Sequence, residues 1–253
     1  MTEHAIETRR GLNMLGVWSA MVYIAMILLG WGLVAGFVPP LHPANTPTEA
    51  AELFREDTTR IRVGMVIVMF SALAYIPFGA VLCRYMRRVE GGSGVLTFMA
   101  LFGGVGNMVL SFAPGMIWLV AAYRPERDPE LIQLVNDGGW LTYVGGVSMI
   151  MALPLSITLA AFYDRSPNPV FPRWAGYLNL WIFLVIIPDQ LLFFFHSGPF
   201  AYNGVFGLWI PVVAFATFFF VAFHLLRQAV IAEQAELTGS PTAAEFRALP
   251  VAG

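Results

Sequence analysis

Asp189 is the residue whose type and position most invite chemistry. It stands in Ile187-Pro188-Asp189-Gln190, inside a long apolar stretch. A carboxylate at membrane depth is costly enough to mark a functional position. Pro188 frees a backbone carbonyl there and favours a kink. His196 follows seven residues later, so on one helix the two side chains share a face. His42 closes the first apolar stretch, and Tyr202 and Asn203 open the last. Asp189, Gln190, His196, His42 and Asn203 can therefore meet near one mouth of a helical bundle. Three roles suit Asp189: a proton- or ion-coupling carboxylate in a transporter, part of a ligand or metal site with His196, and a structural hydrogen bond to a neighbouring helix. The Asp–His spacing matches no metal motif, and no metal is expected.

Asn107 is the second candidate. It follows Gly103-Gly104-Val105-Gly106 in another apolar stretch. This is not a phosphate loop, because the lysine and the preceding strand are missing. Such glycines instead permit close helix approach, as do Gly32, Gly36, Gly145 and Gly146. Asn107 then either hydrogen-bonds a neighbouring helix or lines a cavity with Ser111.

Other chemistries lack their residues. All 14 basic residues are arginine, which excludes a lysine Schiff base. The four histidines are too few for the clusters of membrane hydroxylases or desaturases, and His224 has no second histidine at helical spacing that would suggest a haem. Cys83, the single cysteine, excludes an intramolecular disulfide and a cysteine zinc site and reads as a packing residue. No cofactor is expected, and no nucleophile motif is present.

The elements that position these residues follow from composition. Hydrophobic residues make up 58 % of the 253 and charged residues 12 %, against roughly 25 % charged in a soluble domain. Mean hydropathy is +0.69. Net charge is −2 with no basic block, so nucleic acid is not an expected partner. The fold class is an all-α, polytopic membrane bundle. A membrane helix needs about 20 apolar residues, and six stretches qualify: 15–38, 63–82, 95–122, 140–163, 174–195 and 204–226. Pro77, Pro114, Pro154, Pro188 and Pro211 place a proline in five of them, which suggests kinked helices around an internal cavity. Three segments result: a cytoplasmic N-terminus (1–14), the six-helix domain (15–227) and a cytoplasmic tail (228–253).

Arginine placement sets direction. Arg9, Arg10, Arg84, Arg87, Arg88, Arg165, Arg173 and Arg227 fall on one side of six spans. Arg55, Arg60, Arg62, Arg124 and Arg127 fall on the other, interleaved with acids. The richer side reads as cytoplasmic, with both termini inside and the inner membrane of a bacterium as the location. Trp31, Trp140, Trp174 and Trp209 near span ends fit an aromatic belt. On the outer side, Thr46-Pro47-Thr48-Glu49 predicts a capped amphipathic helix. Asp128-Pro129 predicts a second short interfacial helix over 124–137. The last span is expected to continue past the membrane and to stop at Gly239-Ser240-Pro241.

The run Phe193-Phe194-Phe195-His196-Ser197-Gly198-Pro199-Phe200-Ala201-Tyr202-Asn203-Gly204, with Trp209-Ile210-Pro211 after it, resembles a segment of an uncharacterised group of bacterial six-span integral membrane proteins. The resemblance implies the topology and carries no activity with it.

These features favour a bundle that binds or passes a hydrophobic small molecule or lipid through an outward-facing cavity. An accessory subunit of a larger membrane complex is the alternative, with the glycine faces as its interface. A membrane enzyme ranks third.

Overall fold

Six helices in residues 3–239, the part of the chain described by the computed structural model, are long and apolar enough to cross a membrane. Span one (His4–Val34) is α1 (Glu3–Ile27) with a wider-wound continuation over Leu28–Val34. A surface helix, α2 (Pro47–Glu56), precedes span two, α3 (Thr58–Glu90). Span three is α4 (Val95–Tyr123). Span four (Pro129–Tyr163) consists of α5 (Pro129–Tyr143), a tight 3₁₀ stretch over Gly145–Met149, and α6 (Ala152–Tyr163). Span five (Arg173–Phe194) is α7 (Arg173–Ile186) followed by a 3₁₀ stretch over Ile187–Phe194. Span six (Val205–Thr238) starts with a wide-wound stretch over Val205–Trp209 and continues as α8 (Ile210–Thr238). No strand occurs among the described residues.

Local chemistry sets the helix ends. Thr46 accepts from the Glu49 amide while the Glu49 carboxylate accepts from the Thr46 amide, the expected capping box of α2. The Glu49 carboxyl is held below its ordinary value by the hydrogen bonds from the Thr46 backbone and side chain. Glu90, at the end of α3, accepts from the Leu96 amide at 2.7 Å and thereby caps the start of α4. Gly239 adopts φ +65° and closes α8 where the glycine was expected to stop it. The rest of the predicted tail, 240–253, lies outside the described residues.

The second outer helix is not a separate interfacial piece. Asp128 caps the helix that Pro129 starts, accepting from the Glu130 amide, but the helix runs on through Gly138-Gly139 to Tyr143 and becomes the entry to span four. The reason is close packing. A Cβ at Gly139 would collide with the Trp118 indole, so the glycine admits α4 against α5 without breaking the winding.

Packing is closest between α3 and α4 and between α1 and α3. Span one meets span two through bare backbone: a Cβ at Gly30 would stand 2.8 Å from the Gly64 carbonyl oxygen. Outward-facing Leu15, Phe70, Phe102 and Val213 are more than half exposed. The bilayer is the surroundings that such a surface suits.

All four irregular stretches lie in the half of the bundle remote from the termini. Spans two and three, in contrast, are α-helical from end to end. Non-helical winding at membrane depth persists where it is buried in protein or borders a cavity. Here the stretches of spans one, four and six border one cavity.

Candidate functional site: a cavity between five spans

Every interrupted span contributes to one cavity of about 80 Å³. Its walls are Ile24, Ile27 and Trp31 from span one, Leu110 from span three, Tyr143, Val144, Val147 and Ile150 from span four, Ile186 from span five, and Leu208, Pro211 and Phe215 from span six. For scale, an engineered cavity of about 150 Å³ holds benzene, and a water occupies about 30 Å³ of the liquid.

The polar groups of the cavity form a closed chain at one end. Ser111 Oγ donates to the Asn107 backbone carbonyl at 3.0 Å, the usual i−4 bond of a buried serine. Its single proton is then committed, so the Tyr23 hydroxyl donates to Ser111 Oγ, at 2.9 Å. Tyr23 in turn accepts from Asn107 Nδ2, also at 2.9 Å. This order leaves Asn107 Oδ1 as an acceptor with no partner, on a side chain only 1 % exposed. Two further lining residues, Trp31 and Tyr143, are unengaged: Trp31 Nε1 is buried without a partner among the described residues. The Tyr143 ring is wedged between Trp31 and Trp118, at 5.4 and 5.7 Å. Its hydroxyl makes no hydrogen bond among the described residues.

Aromatic rings close the cavity towards the end remote from the termini. Trp31 meets Trp140 at 5.8 Å, Trp140 meets Trp118 at 5.3 Å, and Tyr202 stacks parallel on Trp140 at 5.1 Å. Of the lining residues, Leu28 of span one is 46 % exposed, and Val212 and Ala216 of span six are half-buried.

The residues singled out from sequence separate into different places. Asn107 and Ser111 line this cavity together. Asp189 and Gln190 do not. Asp189 is fully buried in the 3₁₀ stretch and accepts from Gln190 Nε2 at 3.2 Å, and the same nitrogen donates to the Gly145 carbonyl at 3.1 Å. The pair thus joins the irregular stretches of spans four and five just beside the cavity. His196 does not share a face with Asp189. The 3₁₀ winding has three residues per turn rather than 3.6, and the chain turns extended at Phe195, leaving His196 exposed. Its electrostatic neighbour is Asp137, at the outer part of α5. His42 is exposed, and its Nδ1 accepts from the Ala44 amide at 3.1 Å, a local turn contact. Asn203 is half-buried in the turn before span six and makes no side-chain hydrogen bond among the described residues. Tyr23 and Tyr143 carry no sequence signal that separates them from ordinary interfacial or core tyrosines. Among the described residues no three His, Cys, Asp or Glu side chains converge as a metal site would require.

Comparison with protein-family models, with curated proteins and with solved structures finds no match for this chain. The fold itself defines the class: an all-helical, multi-pass membrane bundle with six spans.

Proposed function

We propose that the protein admits a hydrophobic small molecule or a lipid chain from the bilayer and holds it in the cavity between spans one, three, four, five and six. One observation carries the reading. Three of the four irregular stretches, those of spans one, four and six, line one apolar cavity that ends in an unsatisfied buried acceptor. Small-molecule sites take this form, a mostly apolar wall with a few fixed polar groups, and broken helices at membrane depth mark sites in transporters. The aromatic roof and the half-exposed rim at Leu28 and Ala216 favour entry from the side, through lipid, over entry from water.

The orientation read from sequence is part of the proposal: a bacterial inner membrane, both termini cytoplasmic, the cavity in the outer half. The distribution of arginines supports it, because Arg55, Arg60 and Arg62, at the end remote from the termini, are engaged by backbone carbonyls. Arg62 donates to the Ala122 carbonyl at 2.7 Å, and Arg55 to the Pro125 carbonyl at 3.0 Å. They serve as caps for chain ends there.

Photolabelling tests the reading. Membranes holding the full chain are loaded with a diazirine-bearing fatty acid and irradiated, and labelled peptides are mapped. Peptides covering 143–150 and 208–216 are expected to label above the lipid-facing average, and Ala216→Trp, which fills the rim, is expected to remove that excess. Uniform labelling that Ala216→Trp leaves unchanged overturns it.

A further inference from the structure

The cavity's polar end has a defined hydrogen-bonding character, and from it we infer that the ligand is a lipophilic alcohol, inserted hydroxyl first. This rests on the proposed function and specifies the ligand class. The chain Asn107 Nδ2 to Tyr23 to Ser111 to the Asn107 carbonyl uses every hydroxyl proton in it. Nothing in that chain donates to Asn107 Oδ1, which is buried and unpartnered. Tyr143 and Trp31, which also line the cavity, offer the complement: the Tyr143 hydroxyl and Trp31 Nε1 are donors with no hydrogen-bond partner among the described residues. A bare acceptor and bare donors within one apolar enclosure fit a group that both donates and accepts.

A hydroxyl does both. A ketone, an ester or an ether only accepts and would leave Asn107 Oδ1 unsatisfied. A carboxylate would bring an uncompensated charge, because no cation lines the cavity. A hydrocarbon would satisfy neither group. The volume agrees with a chain end: about 80 Å³ holds a hydroxyl and a few carbons, and the remainder of a longer molecule leaves past Leu28 and Ala216 into lipid. Buried polar groups that go unpaired with the wrong ligand are a stronger source of discrimination than apolar fit.

Two isomers separate the alternatives. 1-Octanol and heptyl methyl ether contain the same atoms, but only the alcohol can donate. Each is titrated into nanodiscs of the full chain, and thermal unfolding is followed with a maleimide dye that reacts at Cys83. Ala216→Trp serves as the reference for nonspecific bilayer effects. One good hydrogen bond corresponds to about a tenfold preference. The alcohol is therefore expected to bind the wild-type protein about tenfold more tightly than the ether. Asn107→Leu should reduce that ratio to about one. Tyr143→Phe should weaken both isomers, since both accept, and it keeps the test readable if Asn107→Leu does not fold, because the Tyr143 hydroxyl holds no other group. If both isomers bind wild type equally and Ala216→Trp abolishes both, the hydroxyl inference is overturned while the cavity reading stands. If neither isomer shifts wild type relative to Ala216→Trp, the cavity reading fails and the inference with it.

Discussion

Replacing Tyr23 by Phe isolates the polar chain from everything around it. The ring keeps its contacts with Tyr75, Phe215 and Phe219, at centroid distances of 5.5, 6.1 and 5.0 Å, so only the hydroxyl is lost. That hydroxyl makes two hydrogen bonds at 2.9 Å and, among the described residues, is the only side-chain hydrogen-bond link from α1 to Asn107 and Ser111 of α4. Side-chain hydrogen bonds between membrane helices contribute about 0.6 kcal/mol on average and up to about 1.7. The cost does not divide evenly. Ser111 still donates to the Asn107 carbonyl without Tyr23, whereas Asn107 Nδ2 is left with no acceptor. Tyr23→Phe is expected to destabilise by about 1–3 kcal/mol, measured by far-UV circular dichroism during titration with dodecyl sulfate from a mild detergent. Asn107→Leu removes one of the two Tyr23 bonds from the other side and leaves the bond to Ser111, so the double variant should lose less than the sum of the singles, by about 1 kcal/mol. Strict additivity, or a Tyr23→Phe protein as stable as wild type, would show that the chain does not couple spans one and three.

Two further outcomes follow from other contacts. A Cβ at Gly64 would collide with the Gly30 carbonyl and with Ala35, whereas Gly11 has nothing within 4 Å of its Cβ position. Gly64→Ala is therefore expected to cost about 1–3 kcal/mol through overpacking and Gly11→Ala to gain about 0.5–1 kcal/mol, both read in the same detergent titration; equal effects would refute the close approach of spans one and two. The Glu49 carboxyl titrates below its ordinary value because its ionised form caps α2. A lowered folded value means that its contribution is present above the ordinary glutamate range and is lost as pH falls through the lowered one. Hydrogen exchange of the α2 amides is expected to quicken, relative to intrinsic rates, below about pH 4, and Glu49→Gln should flatten that pH dependence.

The spans were legible because hydropathy is a property of the chain alone. So was the start of α2, since Thr46, Pro47 and Glu49 are read by their own backbone. What sequence misplaced was set by winding and by contacts distant in sequence. The pairing of Asp189 with His196 assumed 3.6 residues per turn across a segment that winds at three and then becomes extended. The second outer helix was expected as a separate piece over 124–137, yet it runs on through Gly138-Gly139, where Trp118, twenty residues upstream, takes the space a side chain would fill. Asn107 and Ser111 could be flagged because polar groups in a glycine-lined span are unusual. Tyr23 could not, since its partners lie 84 and 88 residues away and nothing local distinguishes it from an anchor.

The proposed side entry also agrees with where the bundle is fastened. At the terminal end, Glu233 of α8 accepts from Arg9 of α1 at 2.6 Å and from both terminal nitrogens of Arg84 on α3, and from Tyr85 at 3.0 Å. Spans one, two and six are thereby tied at one point. At the opposite end, Arg62 caps α4, Arg60 reaches the Leu33 carbonyl at 3.4 Å, and Gln133 of α5 donates to the Asn45 carbonyl at 2.7 Å. These contacts join spans one to four and the surface helix. None reaches span six: between the outer halves of spans one and six the described residues share no ion pair or side-chain hydrogen bond. The nearest fastening of that seam is by rings, Tyr23 on Phe215 and Trp18 on Phe223. Parting two apolar faces in lipid exchanges one apolar contact for another, which costs far less than breaking hydrogen bonds there. Under the proposed side entry, the outer seam between spans one and six, where Leu28 and Ala216 line the cavity, is one whose parting would break no side-chain hydrogen bond among the described residues.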